Sequence, residues 1–407
     1  MGTTHIVGAG VAGLSAALTA LARGRRVVLH EAATPGGRAR ALADGTDNGT
    51  HALLGANRAA LRFLRDVGAR DGWVEPEPAG LPVLDVADGS ARRVALSPAG
   101  WWRASRRPPG LTAGAFLSLL GLAGGRDRAI GAAMAAHPAF LRGFVEPLVI
   151  AALNTPVGEA SSRRLAAVLH RVGAPGAARL YVARHGLGPD MVDPALAAIR
   201  ARGGEVRMGA RLRTLSVEAG RAASLGFGEA DVVLAPDDAV VLSLPPWEVA
   251  RLLPATPVPA EHAPILNLHF AHATSADERG GPVRFLGVLG GLCQWVLVRP
   301  GGIAVTVSAA DAEQHEAADD LAPRAWAEIR ALAAAFALPG AWPDAPPPCR
   351  AVKERRATPR HVVGAPPPPA PRALANLALA GDWTHPVLPA TIEAAIRSGA
   401  RAVAALP

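Results

Sequence analysis

Three glycines near the start of the chain have the spacing of a nucleotide-binding loop. Gly8, Gly10 and Gly13 follow a short apolar stretch and precede a run of small residues. In a G-x-G-x-x-G pattern the first glycine permits a tight turn, the second lets the backbone approach a pyrophosphate, and the third lets a helix pack on a strand. Glu31 follows about 20 residues later, where it can accept hydrogen bonds from a ribose diol. The spacing therefore indicates a dinucleotide site.

The elements around these glycines fit the same site. Residues 4–7 are typical of a buried strand, residues 12–23 of a helix of small side chains, and residues 26–30 of a second strand. Such a strand–turn–helix–strand unit points the helix N-terminus at the bound phosphates, where the helix dipole favours negative charge. This context separates a nucleotide site from a chance group of glycines.

A second glycine group follows the second predicted strand. Gly36 and Gly37 allow backbone N–H groups to come close to a ligand, and Arg38 and Arg40 can balance phosphate charge. This segment resembles the corresponding segment of the flavin amine oxidase and phytoene desaturase superfamily. The resemblance implies that the dinucleotide is FAD, with the segment running along its pyrophosphate and near the isoalloxazine ring.

The C-terminus is expected to complete the FAD site. An apolar strand ends at Gly381 and Asp382, and a long helix is predicted for residues 390–405. Asp382 is placed to bond the ribityl or pyrophosphate region, and the positive end of the helix dipole would stabilise the reduced, anionic flavin. The other expected cofactor contacts are Leu212, on a strand that the resemblance places against the adenine, and Pro389, Thr391 and Ile392 at the start of the helix.

Composition narrows the class of protein. The chain has 407 residues, of which 50% are hydrophobic and 4% aromatic, so we expect two domains with aliphatic cores. The formal charge is +8, but Lys353 is the single lysine and no compact basic run is interleaved with aromatics, which argues against nucleic-acid binding. Cys293 and Cys349 are too few for a disulfide framework or a cysteine-rich metal site. With no signal-peptide pattern at the first residues, a cytoplasmic protein is expected.

The order of the elements predicts an α/β fold: a Rossmann-type FAD-binding domain with an inserted α+β substrate domain, the architecture of the amine oxidases and phytoene desaturases. Alternating strands at residues 265–270, 295–298 and 303–308 predict an antiparallel sheet with one packed face in the inserted part. The FAD-binding domain is expected to comprise residues 1–75, 185–245 and 345–407, and the substrate-binding domain residues 76–184 and 246–344.

One stretch of the predicted substrate domain combines tryptophans, arginines and a short apolar helix. Trp101 and Trp102 precede residues 111–123, which are almost wholly apolar but too short to span a bilayer, for which about 20 residues are needed. The stretch is typical either of a buried core helix or of an interfacial helix in one leaflet. With a second apolar helix at residues 140–153, it is expected to wall an aliphatic tunnel that opens at the inner face of the membrane.

Over essentially its whole length the chain resembles the hydroxysqualene dehydroxylases, a family of squalene-associated, FAD-dependent desaturases of hopanoid-producing bacteria. It departs from the family pattern at Thr50, at residues 385–387 and at Ala394, the last two beside the expected flavin edge. The matching stretches are residues 47–49 with His51, 140–155, 193–196, 294–295, 356–358 and 381–399.

The resemblance implies a reductive dehydroxylation in squalene and hopanoid biosynthesis. Hydroxysqualene, a polyisoprenoid, would lose its allylic hydroxyl and become squalene, with reduced FAD as the electron donor and an unidentified donor that reduces the flavin again. Departure of the hydroxyl as water needs a general acid and a dry aliphatic tunnel. The candidates for the acid are Asp47, His51, Lys353 and His385.

Two alternatives share the predicted nucleotide site. A carotenoid-type desaturase, or another FAD oxidase of this superfamily, would make the same flavin contacts, differ in the tunnel and start from oxidised flavin. A prenyl-lipid carrier on the same fold, as in the Rab GDP-dissociation inhibitors, would bind lipid without catalysis. The intact glycine motif, Glu31 and Asp382 favour an enzyme over a carrier.

Overall fold

The computed structural model describes residues 2–228, 231–274 and 283–407. The strands β1–β19 are, in chain order, Thr3–Val7, Arg26–His30, Ala52–Leu54, Trp73–Val74, Leu81–Asp85, Ala91–Val94, Leu180–Ala183, Glu205–Arg207, Thr214–Glu218, Arg221–Gly226, Asp231–Val233, Ala239–Leu242, His262–Phe270, Arg284–Leu289, Trp295–Arg299, Gly302–Ser308, Cys349–Pro359, Arg372–Leu374 and Leu377–Leu379. The helices α1–α11 are Val11–Ala22, Arg58–Asp66, Ala113–Gly121, Ile130–Ala133, Pro138–Phe140, Glu146–Leu153, Ser162–Val172, Asp193–Ala201, Pro246–Leu252, Ala318–Ala335 and Ile392–Ala405.

Six of the described strands form the sheet that carries the glycine motif. Their order is β18-β19-β12-β1-β2-β8, and every neighbouring pair except β18–β19 is parallel. α1 connects β1 to β2 as in a Rossmann unit. α11 packs on α1 so closely that a Cβ on Gly399 would lie 2.3 Å from the carbonyl oxygen of Ala12. The two ends of the chain therefore build one layer beside this sheet.

Seven of the described strands form a second sheet, in the order β17-β13-β16-β15-β14-β5-β6. All its neighbours are antiparallel except β14 and β5. One face packs on α10, with Leu266 and Leu268 of β13 in the same apolar cluster as Trp326. Because side chains alternate along a strand, Asn267 of β13 and its partner Thr306 of β16 lie on the opposite face.

The observed strand pairing disagrees with one of the predicted domain boundaries. β17 pairs along β13, so the residues that follow position 345 begin in the seven-stranded sheet and not beside the glycine motif. The residue pattern of a segment indicates a strand but not the strand with which it pairs. The predicted boundary at residue 345 therefore lies before β17, a strand of the seven-stranded sheet. The division into two domains stays a prediction.

Two predicted elements are shorter than expected. β8 ends at Arg207, so Leu212 lies beyond the strand that was predicted for residues 205–212. The helix predicted for residues 140–153 contains a π-helical turn over Leu141–Val145 before α6. Pro147 lacks an amide hydrogen, so the regular α-helical bond that it would donate is missing at this point. Within the described ranges, no helix has both the length and the hydropathy to cross a bilayer.

Candidate active site

The two glycine groups form one cradle at the end of β1. Gly8 has φ of 99°, in the left-handed region that favours glycine, and a Cβ on Gly13 would lie 1.9 Å from the carbonyl oxygen of Gly8. The Gly36 N–H donates to the carbonyl of Ala9 at 2.8 Å. A Cβ on Gly37 would lie 3.3 Å from Cα of Gly10. Because glycine has no side chain, these positions leave a surface of bare backbone at the N-terminus of α1, and such a surface fits a pyrophosphate.

Glu31 follows β2 directly and lies beside this cradle. Its Oε2 accepts a hydrogen bond from the N–H of Ala9 at 2.7 Å, and its Oε1 accepts one from Ala33 at 2.9 Å. Each carboxylate oxygen can accept more than one hydrogen bond, so the group keeps capacity for a ribose diol. The ribose contact of Glu31 stays a prediction.

Arg38 and Asp382 bring the second glycine group and the C-terminal motif together. The Nη2 of Arg38 lies 2.5 Å from Oδ1 of Asp382, and Nη1 of Arg38 donates to the carbonyl of Ala357. The same Oδ1 accepts the N–H of Trp383 at 2.9 Å. Gly381 is required at this turn because a Cβ there would lie 2.6 Å from Nε1 of Trp383. Arg38 and Asp382, one predicted cofactor residue from each end of the chain, are thus in direct contact, and these two residues are called the cofactor cluster below.

The last helix begins two residues later than predicted. Thr391 is the N-cap of α11, and its hydroxyl accepts the N–H of Ala394 at 3.2 Å, so the first helical residue is Ile392. Pro389 lies in the loop just before the cap. The unpaired amides of the helix N-terminus therefore follow the Gly381–Asp382 turn by about ten residues in the sequence.

Leu212 has a role that the sequence did not indicate. Its side chain is buried with Val7 and Val240 in one apolar cluster, and its carbonyl accepts a hydrogen bond from Nη2 of Arg251 at 3.0 Å. One backbone group of Leu212 is therefore already engaged by the protein. Its contact with an adenine stays a prediction.

Asp47 is held by the protein on both carboxylate oxygens. Its Oδ1 accepts the N–H of Leu187 at 2.6 Å, and its Oδ2 lies 3.0 Å from Nη1 of Arg299. The side chain is buried. Both carboxylate oxygens are thus engaged in fastening the loop to Leu187 and Arg299, which argues against Asp47 as a candidate acid.

Lys353 faces away from the candidate site. It pairs with Leu266 across β17 and β13, and paired residues of antiparallel strands share a face, so it lies on the face covered by α10. Its Nζ donates to the carbonyl of Glu316, two residues before that helix. Because the pairing register sets the face of each side chain, this placement argues against Lys353 as a candidate acid.

The two candidate histidines differ in their contacts. His51 is half-buried, its Nδ1 lies 3.1 Å from the carbonyl oxygen of Gly49, and burial lowers its pKa. Burial, reinforced by nearby arginines, lowers the pKa of His385 to about 4, so that ring is neutral at pH 7. Its Nδ1 accepts the N–H groups of Val387 and Leu388 at 3.2 and 3.0 Å. These contacts make His385 an acceptor, which contradicts its assignment as the acid.

Several polar residues near this cluster were not identified from the sequence. Asn154 has φ of 48°, and its Nδ2 donates to Oγ1 of Thr358 at 2.9 Å. Both lie in stretches that match the family, which is the signal that could have found them. His361 lines a cavity of 320 Å³ together with Asp382 and His385, and it lies in a proline-rich loop that offered no such signal.

Comparison with known proteins agrees with this geometry. The family model for flavin containing amine oxidoreductases matches residues 11–407. The hydroxysqualene dehydroxylase of Rhodopseudomonas palustris is 37% identical, covering 98% of this chain and 97% of that protein. The corresponding protein of Zymomonas mobilis is 35% identical, covering 98% and 97%.

Solved structures support the fold. An oxidoreductase from Methanosarcina mazei has a TM-score of 0.74 at 15% identity, covering 99% of both chains. Putrescine oxidase bound to putrescine has a TM-score of 0.67 at 15% identity, covering 99% of this chain and 98% of that one. The expected α/β, amine oxidase-like fold is confirmed, and FAD, the predicted cofactor, fits the glycine cradle. The chain belongs to the flavin-containing amine oxidoreductase family and, within it, to the family of the hydroxysqualene dehydroxylases.

Proposed function

We propose that the protein reduces hydroxysqualene to squalene, consuming reduced FAD and releasing the allylic hydroxyl as water. The observation that carries this proposal is similarity over 98% of the chain to proteins named for that reaction. The reaction balances as one hydride and one proton taken up for each hydroxyl lost. Bound FAD, when reduced, supplies the hydride.

In this proposal the chain binds and orients the cofactor from both of its ends. The bare backbone at Gly10 and Gly36 approaches the pyrophosphate, and Glu31 accepts from the ribose. Arg38 and Asp382 lie at the ribityl side of the site. The N-terminus of α11 contributes positive potential that favours the negative charge of reduced flavin.

An apolar region of the seven-stranded sheet fits a hydrocarbon substrate. Phe285 and Trp295 stack with their ring centroids 5.6 Å apart, and Leu81, Val83 and Leu297 pack in the same cluster. Toward β13 the same face turns polar at Asn267. We place the isoprenoid chain along the apolar part, with its hydroxyl toward the polar end, because an aliphatic wall excludes water from the allylic cation.

We assign proton transfer to His51. Its Nδ1–H donates to Gly49, and among the described residues no protein group bonds its Nε2. Asp382 and Arg38 both act on this ring electrostatically, which supports its place beside the cofactor cluster. Because burial lowers the pKa of His51, the ring must take up a proton before it can protonate the leaving hydroxyl.

The direction of electron flow tests the proposal. Enzyme reduced under anaerobic conditions is mixed with hydroxysqualene in a stopped-flow instrument, and the products are extracted. Oxidised-flavin absorbance is expected to return in one turnover while squalene forms. If only oxidised enzyme reacts, and bleaches with a saturated polyprene, the protein is a desaturase and the proposal is wrong.

We also propose that α3 docks on the inner surface of the membrane, where a polyisoprenoid resides. Trp102, Leu117 and Leu120 are 89%, 66% and 54% exposed, and no residue of α3 is charged. Such an apolar, uncharged surface suits an interfacial helix. Trp101, expected at the same surface, is buried instead: its ring packs edge-on against Phe144 at 5.4 Å.

A further inference from the structure

The loop that leads into α11 is held by two imidazole rings. His385 Nδ1 accepts the N–H groups of Val387 and Leu388, at 3.2 and 3.0 Å. His361 Nε2 accepts the N–H of Ala390 at 3.0 Å. An imidazole nitrogen accepts only while it carries no proton, so both rings hold this loop in the neutral form. Residues 385–390 are called the helix-entry loop below.

His361 is itself fixed from the other side. Its backbone N–H donates to Oγ1 of Thr155 at 3.0 Å, and its carbonyl accepts the N–H of Ser161 at 2.8 Å. The residue is buried, so solvent does not compete for these bonds. Its ring therefore joins the segment 155–161 to the helix-entry loop, although the two are far apart in the sequence.

Arg164 strengthens the same connection. Its Nη1 donates to the carbonyls of Pro386 and Leu388, at 3.3 and 3.4 Å, from the first turn of α7. The helix-entry loop is thus fastened through its carbonyls by an arginine and through its amides by two histidines. The loop leads directly to the Thr391 cap, so the position of the loop sets the position in space of the N-terminus of α11.

We infer that His361 and His385 are positioning residues for the flavin, which hold the helix-entry loop so that the N-terminus of α11 is set against the bound cofactor. The inference rests on the proposed function only in placing this helix end at the flavin. Without the acceptor on His361, the amide of Ala390 is left unpaired and the loop shifts to find another partner. The positive potential of the helix end then moves, and reduced flavin is stabilised less.

Paired substitutions distinguish the effect of losing the hydrogen-bond acceptor from the effect of losing the volume of the ring. His361→Gln keeps an acceptor near the position of Nε2, whereas His361→Leu fills similar volume without one. His385→Asn keeps an acceptor near the position of Nδ1, whereas His385→Leu fills similar volume without one. His137→Leu is the matched control, because it removes a histidine that lies 3.0 Å from Oγ of Ser118 in the α3 region.

The flavin reduction potential of each holoenzyme is measured without substrate, by anaerobic reduction against a reference dye. His361→Leu is expected to lower the potential by about 30 mV, which is a tenfold change for a two-electron couple. His361→Gln and His137→Leu are expected to keep the wild-type potential. An unchanged potential in folded His361→Leu, or a Gln variant as low as the Leu variant, overturns the inference.

The His385 pair keeps the test decisive if His361→Leu does not fold. His385→Leu is expected to lower the potential and His385→Asn to keep it near the wild-type value, and equal potentials in the two variants overturn the inference. Because substrate is absent, a failure of the enzyme to convert hydroxysqualene would count against the proposed function and leave this result standing.

Discussion

The Nη2 atom of Arg38 lies 2.5 Å from Oδ1 of Asp382, although 344 residues separate the two in the sequence. The other Nη of Arg38 donates to Ala357 on β17, so three distant segments meet at one guanidinium. Asp382 is 7% exposed and Arg38 is 40% exposed, so one partner is buried and the other reaches solvent. The contact joins the second glycine group to the C-terminal motif within the proposed FAD site.

Replacing Asp382 by Asn is expected to weaken FAD binding. The amide keeps the size of the side chain but loses the charge that Arg38 pairs with. We expect a loss of about 1.4 kcal/mol, or roughly tenfold in Kd, because solvent at Arg38 screens part of the interaction. Fluorescence titration of the apoprotein with FAD measures it. Asp44→Asn, which breaks the exposed pair with Arg350, is the control, and an equal loss there would contradict the prediction.

Two glycines of the first motif are expected to respond differently to alanine. In Gly13→Ala the new Cβ would lie 1.9 Å from the Gly8 carbonyl, so folding should fail. In Gly10→Ala the nearest atom is 3.9 Å away, so the protein should fold but bind FAD poorly, since the methyl group takes space at the pyrophosphate. Circular dichroism and flavin content of the purified variants distinguish the two effects. Full flavin content in Gly10→Ala would show that Gly10 does not approach the pyrophosphate.

Stability is expected to fall in mild acid because of a buried histidine pair. His30 stacks on Phe227 and lies 3.2 Å from His5, and burial lowers its pKa to about 3. Between pH 6.5 and 3 the unfolded chain binds a proton at His30 that the folded chain refuses, so the free energy of unfolding falls as the pH drops. At pH 5 this residue accounts for about 2 kcal/mol.

Urea unfolding at pH 8 and pH 5 measures this pH dependence. In His30→Leu the difference between the two pH values is expected to shrink by about 2 kcal/mol, whatever the absolute stability of the variant. An unchanged difference would show that His30 does not cause the loss.

Charges on α3 are expected to release the protein from membranes. The double substitution Leu117→Glu and Leu120→Glu places two carboxylates on exposed positions, so the fold should remain while flotation with anionic phospholipid vesicles is lost. Val233→Glu, at a position that is 80% exposed on β11, is the control. Unfolding of the double variant would mean that α3 belongs to the core.

Two of the four sequence-based candidates for the acid are expected to respond differently to substitution. Lys353→Met should leave the single-turnover rate unchanged, because Lys353 lies on the α10 face. His51→Asn should lower the rate by roughly 10²-fold or more, the typical contribution of a general acid. The rate of flavin reoxidation with hydroxysqualene measures both. A large loss in Lys353→Met with FAD binding intact would contradict the face assigned to it.

Short-range patterns in the sequence indicated much of the proposed cofactor site. The predicted strand 26–30 coincides with β2, and the spacing of Gly8 and Gly13 reflects a local steric limit, because a Cβ on Gly13 would lie 1.9 Å from the Gly8 carbonyl oxygen. Gly381 and Asp382 were recognisable for the same reason, since a glycine–acid turn after an apolar strand is a local feature. These features depend on residues within a few positions of one another, so the sequence contains the information.

The tertiary structure alone decided which polar side chains are free to act. Lys353 turns toward α10 because of its register with β13, and Asp47 is occupied by Arg299, 252 residues away. The role of His361 depends on the hydrogen bond that its ring accepts from the N–H of Ala390, and only the tertiary structure forms that contact. A side chain's charge and hydrogen bonds depend on its neighbours in space, and pairing between distant strands and loops sets those neighbours. The residue types therefore identified the candidate catalytic and binding residues, and the packing of remote segments determined their roles.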